Sequence, residues 1–147
     1  MLPNKDNEIE TWFPNLQTQK YNITSSKTLD YNCIAWSVEN DRQWWWPDLT
    51  YQYYWPEELP RVTRKDYFIK LYRLYGYEIC RTDKFEIGYE KIVIFLKSDI
   101  PTHVARQLDQ EKWTSKLGDS YDISHEISAL DGDMYGIPSI FMKRKII

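Results

Sequence analysis

The sequence is short of cysteine, histidine and glycine, and has no excess of positive charge. Cys33 and Cys80 are the only cysteines in 147 residues, so at most one disulfide can form. Their spacing does not supply the four thiolate or imidazole ligands of a structural zinc site. Both read as reduced thiols, and no metal or cofactor is called for. Nineteen basic residues stand against 22 acidic ones, a net charge of -3. That sign disfavours binding driven by a polyanion and sets nucleic acid aside as a main partner. No apolar run approaches the ~18 residues of a membrane-spanning helix. Met1 to Glu10 is polar, without the apolar segment of a secretory signal. The chain therefore reads as cytoplasmic, with export by a route that leaves no cleavable signal as the alternative. On that reading the Asn22-Ile23-Thr24 sequon carries no meaning.

What the sequence has in excess is rings, 24 of them (7 Trp, 12 Tyr, 5 Phe), enough to furnish the core of one domain. A chain of this length buries roughly two-thirds of its unfolded surface and needs no staple to hold it. The rings are unevenly placed. Residues 1–30 hold Trp12, Phe13 and Leu16, then a stretch rich in Thr, Ser and Lys, and read as an extended arm pinned by a few rings. Residues 31–41 carry Cys33, Ile34, Ala35, Trp36 and Val38 at helical spacing, a short helix with Cys33 in its first turn. Residues 42–62 hold Trp44, Trp45, Trp46, Tyr51, Tyr53, Tyr54 and Trp55 among three prolines, an irregular aromatic loop.

Residues 63–76 read as a second helix. Thr63 is its expected N-cap, with Asp66 three residues on, and Tyr67, Phe68, Leu71, Tyr72, Leu74 and Tyr75 form its apolar face. Gly76 is placed to close it. Residues 77–147 turn to β patterning. Tyr77, Ile79 and Cys80 alternate with polar residues, and Ile92 to Leu96 is a continuous apolar run suited to a strand buried on both faces. Thr102–Leu108 and Lys112–Lys116 flank a polar turn at Asp109, Gln110 and Glu111 as a hairpin. Gly118 to Gly136 reads as a polar connection, and Pro138–Lys145 as a last strand. Helices first and an antiparallel sheet afterwards give the α+β class.

Two residues suggest chemistry. A thiol at a helix start meets unpaired backbone amides, which favour the thiolate and can receive an oxyanion. A neutral imidazole on an adjacent strand, His103, accepts the thiol proton and returns it to the leaving group. The plainer alternative is that Cys33 is a small core residue and His103 an ordinary strand residue.

The segment Asp30-Tyr31-Asn32-Cys33-Ile34-Ala35-Trp36 resembles the nucleophile helix of the papain-like cysteine peptidases and amidases. The strand Lys91–Lys97, with His103-Val104-Ala105-Arg106-Gln107-Leu108 and Trp113-Thr114-Ser115 after it, resembles their central strands, in particular those of the NlpC-like branch. The same motifs, with Trp44-Trp45-Trp46-Pro47, also resemble a bacterial domain family of unknown function. The first resemblance implies a papain-like fold in which the nucleophile helix precedes an antiparallel sheet. It implies a thiol hydrolase or acyl transferase acting on an amide bond, with Cys33 as nucleophile and His103 as base. The third position falls near Ser115, where the superfamily usually has His, Asn or Gln; Asp122 and His125 are rival orienters.

Asn32, Trp44, Trp45, Trp46, Arg106 and Lys116 are candidate substrate-binding residues. Rings stack on sugars or side chains, and the two cations suit a carboxylate. The plainer alternatives are a small secondary core for the tryptophans and a solvated strand face for Arg106 and Lys116. Candidate substrates are a peptide, a peptidoglycan fragment or a small amide. A catalytically inert relative of the fold, binding a protein partner, is the other reading. Asp131-Gly132-Asp133 lacks the further ligands of a calcium loop and reads as a turn.

Overall fold

The computed structural model describes residues 1–108 and 112–146, so the turn expected at Asp109, Gln110 and Glu111 lies outside the described residues. One antiparallel sheet organises the chain. Its strands are β1 (Tyr21–Ser25), β2 (Glu78–Cys80), β3 (Tyr89–Lys97), β4 (Ile100–Gln107), β5 (Trp113–Lys116), β6 (Asp122–His125) and β7 (Ile137–Lys145). Their spatial order is β1-β6-β5-β4-β3-β7-β2. Three short helices pack on it: α1 (Asn7–Trp12), α2 (Cys33–Ser37) and α3 (Lys65–Leu74). The chain is thus a mixed helix and antiparallel-sheet protein, mostly β.

The apolar run in β3 is buried on both faces, as its composition predicts. Ile92 and Ile94 join Val104 and Met142 under α2, α3, Trp45, Trp55 and Tyr77. Val93 and Phe95 point the other way and join Ala105, Trp113 and Ile123 against Ile9, Phe13 and Leu16. Strands β3 and β4 are joined through Ser98 and Asp99, whose φ values of 50° and 69° place both residues in the left-handed region. Two such central residues make the tight connection whose twist matches the flanking strands. Gly76, at φ 89°, follows the last residues of α3 as expected. Ile140 and Met142 of β7 share the α2 and α3 face.

Several expectations are corrected. Residues 1–30 are no extended arm. Asp6 caps α1 by accepting from the Ile9 N–H at 3.1 Å, a 3-10 turn spans Pro14–Gln17, and β1 forms one edge of the sheet. At six residues α1 is too short to display a helical period. β1 precedes the Cys-bearing helix, so the order is not helix first and sheet afterwards. The polar connection 118–136 contains β6, whose Asp122 and His125 are buried and polar and so hide the strand from a hydrophobic pattern. Helix α3 begins after Arg64, with no side-chain cap, and Thr63 does not serve as one. Leu74, assigned to its apolar face, is exposed.

Candidate active site

Strands β4 and β5 pair at Arg106↔Thr114 and Gln107↔Trp113, with no further register pair among the described residues. Beyond these the two strands part, and Ser115 and Lys116 pair only with Ile123 and Asp122 of β6. Because side chains alternate along a strand, Ser115 shares the face of Trp113 and Ile123, whereas Lys116 and Asp122 face the other way. The candidate residues are gathered around this split, some on each face.

On the first face lies a chain of three buried side chains. His103 Nε2 is 2.9 Å from Ser115 Oγ, and Ser115 Oγ is 2.7 Å from His125 Nε2. His125 Nδ1 is 2.7 Å from the Glu126 carbonyl. A carbonyl only accepts, so His125 carries its proton on Nδ1 and its Nε2 is an acceptor. The Ser115 hydroxyl therefore donates to His125 and accepts from the Nε2–H of His103. His103 Nδ1 is left deprotonated, buried and without a hydrogen-bond partner. Tyr135 stacks flat on the His103 ring with centroids 4.1 Å apart, and Phe95 meets it edge-on at 5.2 Å. Burial, with repulsion from His125, holds the His103 pKa well below the usual imidazole range. Burial also lowers that of His125 to about 4, with the Glu126 carbonyl opposing the shift.

On the second face, Asn32 caps α2 and Cys33 is its first residue. Burial pushes the Cys33 thiol up to about 11; backbone contacts with Val104, Ile34 and Cys33 itself, and the charge of Lys116, oppose the shift without cancelling it. The expected thiolate is thus not the resting form, because a five-residue helix supplies too little to outweigh desolvation. Lys116 is wholly buried, and its Nζ donates to the Thr28 carbonyl at 2.8 Å and to the Gly118 carbonyl. It lies 5.1 Å from the Tyr31 ring centroid and 5.9 Å from that of Trp44. Burial lowers the Lys116 pKa. Its register partner Asp122 accepts a 2.5 Å hydrogen bond from the Tyr31 hydroxyl, and burial raises the Asp122 carboxyl.

The match between this chain and a family model spans residues 22–143, and the family is described as Domain of unknown function (DUF7689). The chain belongs to that family. The matched span holds every site residue named above and leaves α1 outside. No curated protein and no solved structure matches the chain.

Within the DUF7689 domain the sequence-derived candidates separate. His103, Ser115 and His125 form one hydrogen-bonded unit, which makes Ser115 the direct partner of His103. Asp122 is not an orienter of His103; it belongs to Tyr31 and Lys116 on the side of Cys33. No hydrogen bond joins Cys33 to His103. What relates them is β4: the Val104 backbone, which favours the Cys33 thiolate, belongs to the residue after His103.

The binding candidates are mostly structural. Asn32 has both polar groups engaged with α2 and Trp45. Trp45 is buried against Tyr54 and Tyr75, and Trp46 packs edge-on against Phe68. These tryptophans join the main core of the α2 and α3 face and do not form a separate small one. Trp44, half-buried beside Lys116, is the ring of the triplet nearest that buried charge. Arg106 is held by Glu39 at 2.7 Å above Trp36. Neither it nor Lys116 belongs to a solvated strand face. Sequence reasoning missed Tyr31, Tyr135, the Val104 amide and the Glu126 carbonyl. Tyr31 stood two residues from the candidate nucleophile; the others had no local signal.

Proposed function

We propose that this domain is a thiol-dependent amide hydrolase or acyl transferase of papain-like, NlpC-like type, with Cys33 as nucleophile and His103 as general base. The observation that carries the reading is the free, buried lone pair on His103 Nδ1. Ser115 fixes the ring through Nε2, so the only basic atom left is the one a thiol proton must reach. The backbone that favours the Cys33 thiolate is that of Val104, the residue next to His103 on β4, so thiol and imidazole adjoin the same stretch of strand, and their meeting requires β4 to yield at its open edge. Thiol and imidazole are both neutral at rest, and the nucleophile forms by proton transfer during attack. Lys116, on the face of Cys33, favours the developing thiolate. The substrate class is a peptide, a peptidoglycan fragment or a small amide.

The test is acyl-enzyme formation with p-nitrophenyl acetate, a donor small enough to enter a closed site, followed by intact and peptide mass spectrometry. The expected product is a single acetyl group on Cys33, with the rate reduced about 100-fold or more in His103→Ala, the lower range for loss of a general base. Acetylation at Cys80 alone, or a Cys33 rate indifferent to His103→Ala, overturns the proposal. The second reading, an inert fold that binds a protein partner, is favoured by one observation. Cys33 is 6% exposed and His103 is wholly buried. It predicts no acylation of Cys33 at all.

A further inference from the structure

The hydrogen-bonded unit is longer than the base needs. Orienting His103 requires one acceptor, which Ser115 provides; a second buried imidazole behind Ser115, tied in turn to a carbonyl, is surplus to that purpose. We propose that Ser115 and His125 form a proton relay, so that the charge created when Cys33 loses its proton rests on His125 and not on His103. The inference takes its proton from the hydrolase reading above, but the relay is built entirely from hydrogen bonds already present.

The steps balance. The Cys33 S–H bond breaks and His103 Nδ1 gains the proton. The His103 Nε2–H proton passes to Ser115 Oγ, and the Ser115 hydroxyl proton passes to His125 Nε2. His103 ends neutral with its proton on Nδ1, Ser115 is again a hydroxyl, and His125 is an imidazolium opposite a thiolate. When the leaving amine takes the Nδ1 proton, the two relay transfers reverse: the His125 Nε2 proton returns to Ser115 Oγ and the Ser115 hydroxyl proton returns to His103 Nε2, while the sulfur stays bonded to the acyl group. Ser115 and His125 are thus positioning residues that act through His103.

The destination follows from what surrounds each ring. His125 already donates from Nδ1 to the Glu126 carbonyl at 2.7 Å, and that bond strengthens when the ring is charged. Among the described residues no carbonyl or carboxylate accepts from His103. Its neighbours are the Tyr135 face and the Phe95 edge. A ring face attracts a cation less than a short charge-assisted hydrogen bond does. Among the described residues, the titratable groups that face the pair are each other and Tyr135 from the connection after β6, which in turn feels Cys33 of α2. Tyr21 of β1 stands opposite His125 in register, but its hydroxyl is engaged by Glu10 at 2.6 Å.

Nitrogen NMR of the full chain with labelled histidine tests the relay, in the wild type and in Cys33→Ser. At neutral pH the expected pattern is His103 protonated on Nε2 and His125 on Nδ1. On acidification His125 takes the first proton. The opposite tautomer at either ring, or first protonation at His103, overturns the proposal. Ser115→Ala is expected to slow Cys33 acetylation at least tenfold, and Ser115→Thr, which keeps the hydroxyl, to restore most of it. Should Ser115→Ala fail to fold, the wild-type tautomers and protonation order still decide. Absence of Cys33 acetylation with the tautomer pattern intact sinks the hydrolase reading and with it the relay's source of protons, leaving only the hydrogen-bonded order of the two rings; a wrong pattern with acetylation intact sinks the relay alone.

Discussion

Asn32 grips the backbone of Trp45 at both of its polar groups: its Oδ1 accepts from the Trp45 N–H at 2.9 Å and its Nδ2 donates to the Trp45 carbonyl at 2.6 Å. The same Oδ1 accepts from the Ala35 N–H and caps α2. One side chain therefore fixes both α2, the helix that begins at Cys33, and the aromatic loop beside it.

Asn32→Ala is expected to destabilise the fold by roughly 2–4 kcal/mol. Loss of an N-cap costs about 1 kcal/mol, and leaving buried backbone groups without partners costs about 1–3 kcal/mol more. Urea unfolding followed by tryptophan fluorescence measures it. Asn32→Asp keeps the cap and the Trp45 N–H bond but loses the donor, and should fall between the two; a loss under 1 kcal/mol in Asn32→Ala would show that the loop is held by its rings alone.

Stability should decline as pH falls from about 6.5, the ordinary imidazole value, towards 4. His103 and His125 both have lowered pKa values in the folded protein. Between the unfolded and folded values the unfolded chain binds more protons, so acid favours unfolding. For His125, with a folded value of about 4, the loss is of the order of 3 kcal/mol. Asp122, with a raised carboxyl pKa, acts in the opposite sense through the upper carboxylate range and offsets part of it. Denaturant midpoints at pH 7.5, 6 and 5 should fall in sequence, and His125→Asn should flatten the slope. A pH-independent midpoint across that window contradicts the buried, neutral state of both rings.

Lys116→Met keeps the apolar stem and removes the charge. The carbonyls of Thr28 and Gly118 lose their donor, an expected cost of about 2 kcal/mol in urea unfolding. Cys33 loses the cation that favours its thiolate, so acetylation should slow. An unchanged acetylation rate in a folded Lys116→Met protein would remove Lys116 from the chemistry and leave it a structural pin.

The most apolar parts of the structure were the most legible. Ile92 to Leu96 announced a strand covered on both sides, and Phe68, Leu71 and Tyr72 announced α3. Cys33 at the start of a short helix was readable from spacing, and His103 from its place after the buried strand. Strand β6 was not, because Asp122 and His125 are buried by pairing with Tyr31 and Ser115, contacts that span 91 and 10 positions along the chain. Nor could the faces be read. Cys33 packs on the Val104 face of β4 and His103 points to the other, and nothing in Trp113-Thr114-Ser115-Lys116 records where the ladder between β4 and β5 stops. The charge state of Cys33 was misjudged for a related reason: helix position is visible in a sequence, whereas depth of burial is not.

The brief pairing of β4 with β5 has a mechanical consequence. Strands β4, β3, β7 and β2 form one block and β5, β6 and β1 another, and the two are stitched at Arg106↔Thr114 and Gln107↔Trp113, with one more bond from the Leu108 N–H to the Lys112 carbonyl. This seam carries two register pairs where β4 and β3 carry six, and the shared core of Val93, Phe95, Ala105, Trp113 and Ile123 spans it. His103 rides on one block, while Ser115 and His125 ride on the other. Any separation of the two groups of strands therefore has to stretch the hydrogen bond between His103 and Ser115, so the state of that buried pair is tied to the junction of the two.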